Sequence, residues 1–369
     1  MSKIIVLGAG MVGRAMAIDL AKKHEVTSAD ISETALQSLS DHKIKTFKAD
    51  LSVANKIKEL VKDFDLVVGS VPGFLGFNMM RAVIEAKKNI VDISFYPEDP
   101  FELDELAKKN NVIAIMDVGV APGMSNLLLG YHNKRMKVQE FECLVGGLPV
   151  VRTWPFEYKA PFSPIDVIEE YIRPARFIKD GKLVVKPALS DPELMDFEGV
   201  GTLEVFNSDG LRSLVKTIDA PNMIERTMRY PGHIELMRVL RETGFFEKEE
   251  IDVKGKKIRP IDLTSKLLFE KWKLGECEDE LTVMRITVKG EGKTIVYHLL
   301  DRYDRATNTS SMARTTGYTC TAAAKLVLNG MYKRVGISPP EFIGEDEACV
   351  NFILRYLEAR GVVYRKETI

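Results

Sequence analysis

An apolar run, Ile4-Ile5-Val6-Leu7, leads without a break into Gly8-Ala9-Gly10-Met11-Val12-Gly13, after which Val12, Ala15, Met16 and Leu20 recur at helical spacing. A GxGxxG spacing carries meaning in this context, with a strand before it and a helix after it. Gly8 permits the tight turn, Gly10 lets a pyrophosphate approach the backbone, and Gly13 allows the helix to pack closely on the strand. Amides at the helix N-terminus then offer an anion site. The bland alternative is an ordinary strand-to-helix turn. Asp30, at the end of the next β-branched run, argues against it: a carboxylate there accepts hydrogen bonds from both ribose hydroxyls of NAD and repels a 2′-phosphate. No Arg follows within several residues, so the expected cofactor is NAD rather than NADP.

The alternation continues to about residue 115. IIVLG, VTSAD, IKTFKAD, DLVVGSV, NIVDIS and VIAIMD read as strands separated by amphipathic helices, for example Met79, Ala82, Val83 and Ala86 on one face. This predicts an α/β fold, a Rossmann-type doubly wound parallel sheet covered on both faces. Gly69-Ser70-Val71-Pro72-Gly73 follows the fourth strand at the carboxyl edge, where Ser70, Val71 and Pro72 can run beside a bound cofactor or form a simple turn. Asp50, after the third strand, either reaches the adenine or caps the following helix.

The chain has 369 residues, more than twice the usual domain size of roughly 150, so a second domain is expected. Beyond about residue 130 the regular alternation gives way to apparent strands (FECLVGGL, LTVMRITVKG, TIVYHLLDRYD) and Pro-containing segments, which predicts an α+β domain. Near the C-terminus, residues 312 to 330 read as a small-residue-rich helix, followed by a loop at Pro339-Pro340 and a last helix from about 346 to 359. The expected division is a cofactor domain of residues 1–130 completed by 312–369, with residues 131–311 forming the substrate and dimerisation domain.

Lys and Arg number 52 against 53 Asp and Glu, a formal charge of −1, which leaves no cationic surplus for nucleic acid or an anionic membrane. No apolar stretch approaches the roughly 20 residues that span a bilayer, and the first residues are too short a run for a signal-peptide core, so a cytoplasmic protein is expected. Cys143, Cys277, Cys320 and Cys349 lie far apart and read as thiols. Five scattered histidines show no HxxH or HxxxH spacing, and no metal site is expected.

Asp117-Val118-Gly119-Val120-Ala121-Pro122-Gly123-Met124-Ser125-Asn126-Leu127-Leu128, at the end of the sixth strand, resembles the GxxPGxxNxL segment of the saccharopine dehydrogenase-like superfamily. Val145-Gly146-Gly147-Leu148-Pro149, Glu157-Tyr158-Lys159, Arg229-Tyr230-Pro231-Gly232-His233 and Met312-Ala313-Arg314-Thr315-Thr316-Gly317-Tyr318-Thr319 are similar, in order, to its lysine 6-dehydrogenase branch. The fifth strand departs from the pattern, ending Asp92-Ile93-Ser94-Phe95-Tyr96-Pro97-Glu98 where some members have a glycine-rich turn.

That resemblance implies NAD-dependent oxidation of the ε-amine of L-lysine to the 6-semialdehyde, which cyclises, by a homodimer acting on a small amino acid. Such chemistry needs a base that removes a proton from the ammonium, and a carboxylate clamp. His233 is the first candidate base because imidazole titrates near neutral pH, with a hydrogen-bonded structural histidine as its alternative. Lys159 is the second, against a solvated surface lysine. Arg212 suits the carboxylate clamp and Asp209 the amine, unless Ser208 or Asp209 caps a helix; Arg229 competes for the clamp or is a surface charge. Arg173 and Arg176 read as ion-pair partners of Glu169 and Glu170. Two rival readings remain: a saccharopine or carboxynorspermidine-type imine reductase with a longer pocket, and an NAD-binding sensor without catalysis.

Overall fold

The computed structural model describes residues 1–275 and 278–369. It divides into two compact units, Met1–Met136 with Met312–Val363, and Lys137–Ser311 with Tyr364–Ile369. The chain begins as β1 (Lys3–Leu7), α1 (Met11–Ala21), β2 (Glu25–Asp30), α2 (Glu33–Gln37), β3 (Lys45–Lys48), α3 (Ala54–Val61), β4 (Leu66–Gly69), α4 (Gly73–Glu85), β5 (Ile90–Asp92), α5 (Asp104–Lys109), β6 (Ile113–Ile115) and α6 (Met124–Asn133). The second unit carries β7 (Val138–Pro149), α7 (Pro164–Ile172), β8 (Ala175–Lys179), β9 (Lys182–Lys186), β10 (Glu193–Phe197), β11 (Gly201–Asn207), α8 (Leu214–Thr217), β12 (Asn222–Arg229), α9 (His233–Glu242), β13 (Ile251–Val253), β14 (Lys256–Ile258), α10 (Pro260–Trp272), β15 (Glu280–Gly290) and β16 (Lys293–Arg302). Last come α11 (Ser311–Leu328), β17 (Gly336–Ser338), α12 (Pro340–Gly344), α13 (Glu347–Glu358) and β18 (Arg365–Thr368).

The first unit is built on a seven-stranded sheet in the order β17-β6-β5-β4-β1-β2-β3, every pair parallel. The order reverses between β1 and β4, so the crevice at their carboxyl ends is a topological switch point, where open α/β sheets bind ligands. Strands β1 and β4 are apolar and buried, as strands covered on both faces must be. Helix α4 fills one layer through Met79, Met80, Ala82, Val83 and Ile84.

Helix α11 approaches α1 closely: a Cβ on Gly317 would lie 3.2 Å from Met16 Cγ, which explains the run of small residues there. The same contact layer contains the buried Asp19 of α1. Its carboxylate accepts hydrogen bonds from Thr321 of α11 (2.8 Å), from Tyr356 of α13 (2.5 Å) and from Arg360 (3.0 Å). Burial raises its pKa, but these partners outweigh the burial and hold it below the usual carboxylate range.

In the second unit β10-β11-β12-β7-β15-β16-β18 form the main path of a nine-stranded sheet, with β8 on β12 and β9 on β8. Strands β12 and β7 run parallel, and the long β7-β15-β16 pairings are antiparallel. One side is closed by a cluster that includes Val167, Ile168, Tyr171, Ile234, Met237, Leu268 and Trp272 from α7, α9 and α10.

The six expected parallel strands and the two long C-terminal helices are present. Two short strands depart from the sequence reading. The segment before Pro340, read as loop, contains β17, which extends the parallel sheet beyond β6. The last residues do not continue the first unit, since β18 pairs antiparallel with β16. Cys143, Cys320 and Cys349 are buried thiols; Cys277 lies outside the described residues. Among the described residues no helix is long and apolar enough to cross a membrane, and no cluster of His, Cys, Asp or Glu could hold a metal ion.

Candidate functional site

The glycine-rich turn has the geometry its sequence implies. Gly8 takes a φ of 108°, and a Cβ there would lie 2.2 Å from the Ser70 carbonyl oxygen. A Cβ on Gly13 would lie 2.1 Å from the Gly8 carbonyl, so the helix start can pack on the strand end only without a side chain. Gly10 differs: a Cβ there would meet nothing within 4 Å. The turn is therefore closed at Gly8 and Gly13 and open at Gly10, where a phosphate could approach the backbone. No side chain caps α1 and no acidic residue stands in its first turn, which leaves its dipole uncompensated by the chain itself. Met11 is 43% exposed beside this opening, while Val12 is buried beneath it. These residues fit a dinucleotide.

Asp30 ends β2 beside the turn. Its Oδ2 accepts from the Ala9 amide (2.7 Å) and its Oδ1 from the Ser32 amide (2.8 Å). Both contacts come from backbone, so the carboxylate is fixed beside the turn while keeping acceptor capacity. Ser70 and Val71 form the wall opposite, the Ser70 amide donating to the Leu7 carbonyl (2.8 Å) and Pro72 preceding α4. Asp50 does not cap the helix that follows: it accepts from the amide (3.0 Å) and hydroxyl (2.6 Å) of Ser52, and Val53 is the N-cap of α3.

The GVAPG segment is a compact turn held by itself. Gly123 has a φ of 143°, and the Met124 amide donates to the Gly119 carbonyl at 3.0 Å. A Cβ on Gly119 would lie 3.1 Å from Cγ2 of Thr316 in α11, so two of the segments that carry the family resemblance touch within one unit.

In the second unit the structure brings His233 and Arg229 together but sets both inside the fold. His233 begins α9 rather than an irregular turn and is 2% exposed. Its Nδ1 lies 2.8 Å from the Phe156 carbonyl and its Nε2 3.0 Å from the Tyr171 hydroxyl. A carbonyl only accepts, so Nδ1 carries the proton and Nε2 accepts from Tyr171. Burial first, then the charge of Arg229, push the imidazole down to about 3. Both ring nitrogens are thus occupied, and the histidine corresponds to the hydrogen-bonded structural alternative.

Arg229 is likewise no surface charge. It donates to Tyr171 (3.0 Å), Glu170 (2.7 Å) and the Met228 carbonyl (2.9 Å), and its guanidinium sits 4.6 Å from the centre of the Tyr158 ring. Three of its five N–H donors hold α7 to the sheet, so the chain itself already engages this guanidinium. Asp209 is gripped at both oxygens by Arg176 (2.7 and 2.8 Å), so its charge is already matched. Neither Ser208 nor Asp209 caps a helix: Ser213 precedes α8. Arg173 pairs with Glu169 at 4.0 Å, whereas Glu170 belongs to Arg229. Arg212 is buried in a left-handed conformation (φ 54°), near enough to Arg173 that its charge adds to burial in lowering that guanidinium's pKa. Lys159 is half-buried and donates to the Lys273 carbonyl at 3.3 Å. Sequence reasoning missed Tyr158, Tyr171 and Trp272 around His233, which local pattern could not assemble across more than a hundred residues.

The chain matches two family descriptions end to end: the Saccharopine dehydrogenase NADP binding domain over residues 4–115 and the Saccharopine dehydrogenase C-terminal domain over residues 119–362. It is 27% identical over 206 residues to a saccharopine dehydrogenase [NADP(+), L-glutamate-forming] of Pyricularia oryzae, covering 52% of this chain and 45% of that one. The chain thus spans less than half the length of that relative. It is 22% identical to the carboxyaminopropylagmatine dehydrogenase of Synechocystis sp., covering 94% of each. The fold is that of apo saccharopine dehydrogenase (L-Glu forming) from Saccharomyces cerevisiae, with a TM-score of 0.78 over the whole of both chains at 21% identity. With the glycine-rich turn, the parallel order and both family segments in place, this chain belongs to the saccharopine dehydrogenase family.

Proposed function

We propose that the protein is an NAD-dependent amine dehydrogenase that oxidises the ε-amine of L-lysine. The observation that carries the cofactor assignment is Asp30, whose two backbone hydrogen bonds hold a carboxylate at the ribose end of the glycine-rich turn. The amides of Gly10 to Gly13 and the N-terminus of α1 would hold the pyrophosphate, with Ser70, Val71 and Pro72 as the facing wall. Bound there, NAD supplies the hydride acceptor. The chain's own task is to orient the amine, remove its proton and exclude competing water. Because His233, Arg229 and Asp209 are engaged inside the second unit, Lys159 is the base candidate whose polar atom is not enclosed; Arg212 is kept as clamp candidate for its guanidinium fork, which matches a carboxylate. The lysine assignment rests on the segments resembling the lysine 6-dehydrogenase branch.

A second reading is dehydrogenation of a larger secondary amine. It is supported by the relative named for carboxyaminopropylagmatine, which matches along nearly all of both chains, and by relatives named for saccharopine. Arg14, directly after Gly13 and bonded to the Ser38 carbonyl (3.3 Å), is the cation that would favour a 2′-phosphate in that case. Titration with NADH and NADPH separates the cofactor readings: NADH binding tighter supports the proposal, and NADPH binding tighter overturns the argument from Asp30.

A further inference from the structure

Two aspartates are buried at the carboxyl edge of the parallel sheet, and none of the roles above uses them. Asp92 closes β5 and is wholly buried; Asp117 follows β6, is also buried, and holds a left-handed backbone (φ 52°). The strand ends are tied together by the Val118 amide, which donates to the Asp92 carbonyl at 3.2 Å. Oδ1 of Asp92 accepts from the Ser94 amide (3.2 Å) and hydroxyl (2.8 Å). Oδ2 is enclosed and has no hydrogen-bond partner among the described residues.

An ionised oxygen in that position lacks both water and a donor, which disfavours the charge, and a proton removes that cost. Among the described residues the main groups acting on it include no cation. The charged neighbour is Asp117, from the segment after β6; Cys320 of α11 acts on it with a buried thiol, and Gly69 of β4 lies against its Oδ1. Burial pushes the Asp92 carboxyl up to about 7, against the two Ser94 bonds and the Ile93 amide, and with the Asp117 charge adding to the rise.

Asp92 also abuts the cofactor loop. A Cβ on Gly69 would stand 2.1 Å from Asp92 Oδ1, and the next residue, Ser70, has its carbonyl 2.2 Å from where a Gly8 Cβ would be. A Gly13 Cβ would in turn lie 3.1 Å from Ser70 Oγ. Asp92, Gly69, Ser70 and the glycine-rich turn are stacked without slack. The stacked oxygen, Oδ1, belongs to the same carboxyl as the unpartnered Oδ2, so a carboxylate that turns towards a donor or water disturbs this stack.

We propose that Asp92 is a positioning residue for the dinucleotide: with its carboxyl protonated beside Asp117 it seats the Gly69–Pro72 loop against the Gly8–Gly13 turn, and ionised it loosens that seat. This rests on the proposed function only in placing a dinucleotide at the turn, not on the amine. The test is the dissociation constant of NADH and of NADPH for the whole chain between about pH 6 and about pH 8.5. Affinity should weaken as pH rises, with a slope of at most about one decade per pH unit, the limit for one linked proton. Asp92→Asn, neutral and of the same shape, should abolish the slope. Asp117→Asn should move the fall in affinity to lower pH for the remaining aspartate, which serves if Asp92→Asn does not fold. A flat wild-type profile, an unchanged slope in Asp92→Asn, or an unmoved midpoint in Asp117→Asn overturns the proposal. Cofactor binding with the expected slope but no turnover of any amine leaves it standing and removes the functional reading; turnover with pH-independent binding does the reverse. Failure of both nucleotides to bind removes both.

Discussion

Asp30 and Ala9 are joined by a 2.7 Å hydrogen bond from the Ala9 amide to Asp30 Oδ2, which ties the end of β2 to the glycine-rich turn. One carboxylate therefore shapes the loop and, in the proposed reading, would accept from a ribose. Replacing it with Asn keeps an acceptor for the Ala9 amide but drops the negative charge. Asp30→Asn should weaken NAD by about 10- to 100-fold, the worth of a charged hydrogen bond or two, and narrow the preference over NADP. Dissociation constants for both nucleotides check this.

The three glycines of the turn should separate by function. Gly10→Ala meets no atom within 4 Å, so melting should barely change while nucleotide affinity falls. Gly13→Ala would drive a Cβ to 2.1 Å from the Gly8 carbonyl and should destabilise the fold by roughly 2 kcal/mol or more. Equal effects of the two substitutions on thermal unfolding would contradict this account of the turn.

Asp19 should be a stability residue without a catalytic part. Asp19→Ala leaves the Arg360 guanidinium without its carboxylate partner, and about 3–5 kcal/mol of stability should be lost. Its pKa is held below the ordinary carboxylate value, so its contribution is full above about pH 4 and is lost as pH falls through the folded value. Acid unfolding of the wild type and of Asp19→Asn should differ in that range, the variant losing less on acidification.

His233 should titrate with the unfolded chain rather than with activity. Its folded pKa of about 3 lies below the ordinary 6.5, so the unfolded state binds the proton first. Stability from this group is full above about pH 6.5 and falls as pH drops towards 3. Asp92 acts with the opposite sign, its raised value meaning that stability is lost as pH rises from about 4 to 7. Melting curves of His233→Gln and Asp92→Asn, each against wild type, resolve the two. A kcat/KM profile whose acid limb vanishes in His233→Gln would restore the histidine as base.

The first unit was legible because its signals are local: β1, the turn, α1 and Asp30 lie within thirty residues, and each glycine has a steric task its neighbours reveal. β17 was hidden because three residues before Pro339-Pro340 carry no periodicity, and β18 because Arg365-Lys366-Glu367-Thr368 is exposed throughout. The second unit resisted more. His233 looks like a titratable group in an open turn until Trp272 from α10, Tyr171 from α7 and the Phe156 carbonyl are placed around it, and burial by distant elements leaves no trace in MRYPGH. Arg229 and Asp209 were misread for the same reason, since their partners Glu170 and Arg176 lie more than thirty residues away. Asp92 and Asp117 stand at strand ends in plain view, but only the sheet order shows that they meet.

The central claim is tested most directly by following reduced nicotinamide absorbance with NAD, and separately with NADP, on the whole chain given L-lysine, saccharopine and carboxyaminopropylagmatine. The account predicts reduction of NAD with L-lysine, with ammonia released, and slower reduction of NADP. Turnover of a secondary amine with NADP and none of L-lysine would contradict it.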